Sequence, residues 1–234
     1  MNLYFLVEGR QTEMRVYPAW LNHLLPHYTR ADSPNAVANH DYFLISGEGY
    51  PRLLDVTLGH SIEDINACGR YAYFVICLDA DDVTVEERSR EVVRNLYAAS
   101  PPLDPSVTVK VVVQNRSIES WFLGNRAVFP RNPVGERFRG FVRFYDVSAD
   151  DPEAMGVMDG FTNHAQFHHE YLREMFRERG IAYTKRRPGH VTDGPYLERL
   201  IERTQQQGGH LGTFQTFLDL CRNIHRLTAS PTPD

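Results

Sequence analysis

The sequence predicts an α/β fold: a mainly parallel sheet flanked by helices, with a C-terminal, mostly helical extension. Three observations carry that reading. Strand-length hydrophobic runs alternate with stretches of helical periodicity through the first half of the chain. Two of those runs end in acidic residues. Beyond Gly124 the strand signals stop, and proline- and glycine-rich chain gives way to helical patterns.

Residues 3–7, Leu-Tyr-Phe-Leu-Val, form the first strand candidate and run into Glu8-Gly9. Thr12-Glu13 then starts a helix, with Met14, Val16, Tyr17, Trp20, Leu21, Leu24 and Leu25 near 3.6-residue spacing. Pro18 falls inside that pattern, so the helix either begins at Tyr17 with Pro18 in its first turn or kinks there. Residues 42–46 read as a second strand. Gly47-Glu48-Gly49 reads as a turn, since neither a Walker lysine nor GxGxxG accompanies it. Residues 50–67 form a helix with Leu53, Leu54, Leu58, Ile62 and Ile65 inward, and the third strand, 73–78, runs into Asp79-Ala80-Asp81-Asp82. Thr84 and Glu87 have the spacing of a capping box and open a helix to about residue 98. A proline-rich loop at 100–105 leads to a β-branched fourth strand at 107–114, after which 115–123 turns into a helix or loop. From Gly124 the chain reads as loop until helices near 163–179 and 212–227, and residues 228–234 are expected to be disordered. The domain reading is therefore 1–125 and 126–227, with a short tail.

Composition narrows the functional classes. At 234 residues with 42% hydrophobic content, the chain is an ordinary folded globular protein. No apolar run approaches the roughly 20 residues of a membrane span, and residues 3–7 lack the basic flank and length of a signal peptide, which points to the cytoplasm and no membrane association. Cys68, Cys77 and Cys221 are odd in number and widely spaced, fitting reduced structural thiols rather than a disulfide framework or zinc site. A net charge of −5 argues against coating nucleic acid by electrostatics alone. Arginine clusters such as Arg137/Arg139/Arg143 and the Lys185-Arg186-Arg187 run remain candidates for phosphate contact.

In an open α/β sheet, ligands bind at the carboxyl ends of parallel strands. Glu8 at the first strand end, Asp79 and Asp81 at the third and Glu119 just past the fourth would gather carboxylates at one rim, where their repulsion calls for a cation. Residues i and i+2 of a strand point to one side, which gives the Asp-x-Asp spacing its sense. Hard oxygen donors favour Mg²⁺ or Mn²⁺, whose remaining waters phosphate oxygens can replace. The structural alternative is that these carboxylates cap the following helix. His164, His168 and His169 on one probable helix, the first two at i,i+4, read as packing residues ahead of substrate contact or zinc binding, and Trp121 as a core anchor ahead of a base-stacking platform.

Glu8-Gly9 with Thr12-Glu13, Leu78-Asp79-Ala80-Asp81 and Ser117-Ile118-Glu119-Ser120-Trp121 together resemble the Toprim domain. Within it they are similar to the OLD (overcoming lysogenization defect) and RloB-like nuclease branch associated with bacterial defence against phage. The resemblance covers about residues 1–125. It implies a Toprim-like sheet and a Mg²⁺- or Mn²⁺-dependent endonuclease with Glu8, Glu13, Asp79, Asp81 and Glu119 as metal ligands and Ser117 nearby. It also implies that Lys185 steadies the transition state, the other lysine, Lys110, lying inside a strand. The implied partners are nucleic acid, DNA ahead of RNA, a separate ATPase chain and a second copy in a homodimer. The five-residue separation of Glu8 and Glu13 follows the RloB-like rather than the tighter OLD pattern, and no ATPase segment precedes the Toprim-like stretch. The competing expectations are a Toprim-like module that docks an ATPase or binds nucleotide without cutting, and a receiver-like domain phosphorylated on aspartate.

Overall fold

A computed structural model describes residues 1–206 and 209–229. The fold is α/β, with a five-stranded parallel sheet in the order β2-β3-β1-β4-β5 and a C-terminal helical region. The strands are β1 (Asn2–Val7), β2 (Thr29–Arg30), β3 (Asp41–Ser46), β4 (Tyr71–Asp79) and β5 (Thr108–Gln114). All six residues of β1 are buried, as a central parallel strand covered on both faces requires. β1 is in register with β3 at Val7–Ser46 and with β4 at Val7–Cys77, so these strands leave the sheet at one edge.

The chain divides into two compact units, one made of residues 1–78, 86–113 and 217–234, the other of 79–85 and 114–216. This differs from the division at 125/126 expected from composition. Segments remote in sequence pack into one unit, and the proline-rich stretch that suggested a boundary lies inside the second.

In unit 1, α1 (Glu13–Leu24) continues through Pro18. The missing N–H removes one helical hydrogen bond, and burial of Val16, Tyr17, Trp20 and Leu21 offsets the loss. The helix expected over 50–67 begins later, as a π-helical turn at Leu53–Thr57 that passes into α2 (Leu58–Cys68). α3 (Val85–Ala98) starts directly after Thr84, where the capping-box spacing places it. The Gly47-Glu48-Gly49 segment is a turn tied to β1: Gly47 N–H donates to the Val7 carbonyl at 2.6 Å and Gly49 N–H to that of Glu8 at 2.9 Å. α8 (Gly212–Ala229) returns to this unit from residue 217 onward, with Phe217 edge-on to Tyr17 at 5.5 Å between centroids. The three cysteines are free thiols, and Cys77 and Cys221 are buried. The disorder expected for 228–234 falls outside the described residues from 230 onward, while Thr228 and Ala229 end α8.

Unit 2 contains α4 (Ile118–Phe122), α5 (Glu136–Phe144), α6 (His164–Glu178), α7 (Gly194–Gln206) and the start of α8. α5 and α7 lie where the sequence reads as loop. Phe138 and Phe141 of α5 pack on Phe167 and Tyr171 of α6, with ring centroids 5.3–5.7 Å apart for the closest pairs. Among the described residues no helix is long and apolar enough to cross a membrane.

Candidate active site

Glu8 and Glu13 belong to unit 1; Asp79, Asp81, Glu119 and Lys185 belong to unit 2. Glu8 follows β1 directly and is half-buried, its carbonyl accepting from Gly49 N–H and from the Ser46 hydroxyl at 3.3 Å. Glu13 is the first residue of α1, and its carboxylate folds back over Gly9 so closely that a Cβ there would collide with it. A side chain at position 9 would push the Glu13 carboxylate off this turn.

Asp79 closes β4, and the two residues after it are locked by backbone hydrogen bonds. Ala80 N–H donates to the Gln114 carbonyl and Asp81 N–H to the Arg116 carbonyl, each at 2.9 Å. Asp81 has φ 54° and Arg116 φ 70°, left-handed conformations that aspartate tolerates but that are uncommon for arginine. Two such residues, bonded to one another, sit where the Asp-x-Asp and Ser-x-Glu motifs leave the sheet. The Arg116 guanidinium also donates to the Val83 carbonyl at 3.2 Å. Asp79 and Asp81 are both half-buried, whereas Asp82 is exposed.

Glu119 lies on the one-turn helix α4 and is 1% exposed. His169 Nδ1 is 3.2 Å from Oε1, Lys185 Nζ is 3.8 Å away, and the Tyr183 hydroxyl donates to the same oxygen at 3.5 Å. Burial pushes the carboxyl up, but the His169 hydrogen bond and the Lys185 charge outweigh it and hold the group down at about 2. Glu119 is therefore an ionised anchor already engaged by two basic groups. Lys185 sits at the tip of a tight turn closed by Thr184 and Arg187, with its side chain more than half exposed. Ser117 Oγ, two residues before Glu119, is buried and has no hydrogen-bond partner among the described residues.

Sequence reasoning missed Tyr183, the contact of His169 with Glu119 and the pairing of His164 with Asp82, Nδ1 to Oδ1 at 2.7 Å. That hydrogen bond lowers the Asp82 carboxyl. Of the i,i+4 pair His164 and His168, the second is fully buried with both ring nitrogens engaged inside the protein. Its Nε2 contacts the Met155 carbonyl at 3.1 Å, which can only accept, so Nε2 carries the proton and Nδ1 accepts from the Ser120 hydroxyl at 2.9 Å. Of the expected phosphate-binding clusters, Arg137 is already paired with Glu170 at 3.0 Å and Glu174 at 3.5 Å. Trp121 is a core anchor: it is fully buried, and its indole N–H donates to Thr213 Oγ1 at 2.8 Å.

The buried His168 gives a testable acid sensitivity. Burial lowers its pKa to about 4 from the ordinary 6.5, so the unfolded chain binds the proton first. The neutral ring contributes its full stability above pH 6.5 and loses it as pH falls from 6.5 toward 4. Between pH 7.5 and 5 this amounts to about 2 kcal/mol. His168→Gln keeps one donor and one acceptor but cannot titrate. Urea unfolding at the two pH values should show the wild type losing about that much more stability than the variant; equal losses would refute the assignment.

Comparison with protein-family models, with curated proteins and with solved structures returns no match. Chemical capacity is therefore judged from the residues. Asp79 and Asp81 supply hard carboxylate oxygens that suit Mg²⁺ or Mn²⁺. Among the described residues no group of three His, Cys, Asp or Glu side chains is arranged to hold an ion.

Proposed function

We propose that this chain is a divalent-metal-dependent nuclease of Toprim type that hydrolyses phosphodiester bonds of nucleic acid in the cytoplasm, as an effector of bacterial defence against phage. The observation that carries the reading is the strained, doubly hydrogen-bonded junction of Asp81 and Arg116. It fixes Asp79 and Asp81 at a strand end and leads within three residues to the buried, ionised Glu119. Left-handed backbone at Asp81 and Arg116 supports reading this strand end as a site held for function.

Asp79 and Asp81 would hold the ion, which when bound supplies Lewis acidity and a more acidic water. Glu119 orients His169 and Lys185, and the exposed Lys185 ammonium offers positive charge to a phosphate oxygen. The resemblance adds Glu8 and Glu13, carried by unit 1, and DNA ahead of RNA as substrate. A partner ATPase and a second copy of the chain belong to the same proposal.

Supercoiled plasmid incubated with the purified chain and Mn²⁺ tests it. Nicking or linearisation is expected, absent with EDTA and absent from Asp79→Ala, and a Glu8→Ala sample measures the share of the unit 1 carboxylate. An intact plasmid under all conditions, or cleavage indifferent to Asp79→Ala, would overturn the nuclease reading. One observation favours a second reading, a Toprim-like module that docks an ATPase or binds nucleotide without cutting: Glu119 is already neutralised by its own neighbours. Metal-dependent nucleotide binding without plasmid cleavage would support it.

A further inference from the structure

Two adjoining recesses of unit 2 are lined by arginines outside the acidic strand end. The first, about 250 Å³, is formed by Arg126, Arg199 and Arg203 with Glu202 opposite. The second, about 500 Å³, is formed by Arg126, Arg131 and Arg179 with Glu178. They share Arg126 and Ala127. Five arginines against two glutamates give a local charge of +3 in a chain whose net charge is −5.

Glu202 compensates one arginine of its own recess, whereas Glu178 is engaged by backbone outside the arginines. Glu202 pairs with Arg199 at 2.7 Å, and Glu178 accepts from the Val134 and Gly135 N–H groups, each at 2.8 Å, before α5. Arg203 is 2% exposed, an unusual place for a guanidinium. Its Nη2 donates to the Val147 and Asp150 carbonyls at 3.1 and 2.7 Å, while Nη1 is buried with no hydrogen-bond partner among the described residues. An unmet charged donor in a buried position is costly, and an incoming anion would satisfy it. Burial and the Arg126 charge lower Arg203 to about 10, a repulsion that bound negative charge would relieve.

We propose that these two recesses form a track for successive backbone phosphates of a nucleic-acid strand, separate from the carboxylates that would cut it. Two joined basins with arginines along both suit a ligand whose charge repeats, which a single free phosphate does not. The inference rests on the nucleic-acid reading above and extends it to how the strand is held.

Anisotropy of a fluorescent 30-nucleotide DNA strand, in EDTA so that nothing is cleaved, tests it. The variant is Arg131→Ala/Arg179→Ala/Arg199→Ala, which removes exposed side chains and leaves buried Arg203 in place; thermal unfolding of wild type and variant confirms that both are folded. Affinity should fall at least about tenfold, and the slope of log K against log salt should shrink by about two to three. An unchanged affinity and slope, or no binding by the wild type, would overturn the track. Displacement of the strand by micromolar inorganic phosphate or mononucleotide would overturn the strand as occupant. Asp79→Ala separates the two proposals. If neither it nor the wild type cleaves plasmid while the triple variant loses binding, the track stands and the nuclease reading falls. Cleavage by wild type alone, with binding unaltered in the triple variant, gives the opposite result.

Discussion

Trp121→Ala should lower the stability of the chain by about 3–5 kcal/mol, the range for truncating a large buried aromatic. For a protein of this size that is a fall of about 10 °C in Tm. The indole is fully buried, packs on Phe214 at 5.2 Å between centroids, and donates to Thr213 Oγ1. That hydroxyl in turn donates to Glu153 Oε1 at 2.6 Å, while the other oxygen of Glu153 accepts from Thr213 N–H at 3.0 Å. One substitution therefore opens a cavity and removes a donor from the network at the first turn of α8. Trp121→Phe, which keeps a ring but loses the N–H, should cost about 1 kcal/mol for the hydrogen bond, with any further loss due to the smaller ring. Calorimetry of the two variants checks the order. If Trp121→Ala leaves Tm unchanged and weakens binding of single-stranded DNA instead, the indole is a stacking platform and not a core anchor.

The second large effect is expected at Asp81. Asparagine tolerates the left-handed region as well as aspartate does, so Asp81→Asn keeps the backbone, the size and the bond to Arg116, and removes only the charge. Plasmid cleavage should fall at least about a hundredfold, because a ligand matters no less than the groups that orient one. Stability in EDTA should hold or rise, since Asp79 and Asp82 lose a like-charged neighbour. Asp81→Gly should rise further, relieving a conformation that costs a β-carbon-bearing residue about 1 kcal/mol. A gain in stability with a loss of cleavage marks a residue kept for function. Loss of both would mark Asp81 as structural, and an undiminished rate would remove it from the site.

The strands were legible because burial leaves a local mark. β1 is apolar from Leu3 to Val7 since both its faces are covered, and β4 reads the same way up to Asp79. α5 and α7 were hidden: each buries only a few residues on one face, and charged positions dominate the rest, so their patterns resemble solvated chain. β2 is two residues long and has no periodicity to show. Asp79 and Asp81 could be singled out from their place after a strand, but the surroundings of Glu119 could not. His169 and Tyr183 lie 50 and 64 residues further along, and only folding joins them to that carboxylate. The arginines around Arg203 were invisible for the same reason, scattered between positions 126 and 203.

Unit 1 takes its last segment from residues made after all of unit 2. On the ribosome, Tyr17 waits for Phe217, so unit 1 emerges early but lacks its α8 cover while nearly half the chain is still being translated. The interruption itself is cheap in entropy, since doubling a loop adds only about 0.6 kcal/mol to its closure. Its cost is time, during which nascent chains present an apolar surface to chaperones and proteases. A translational stall before Phe217 would leave a product destined for degradation.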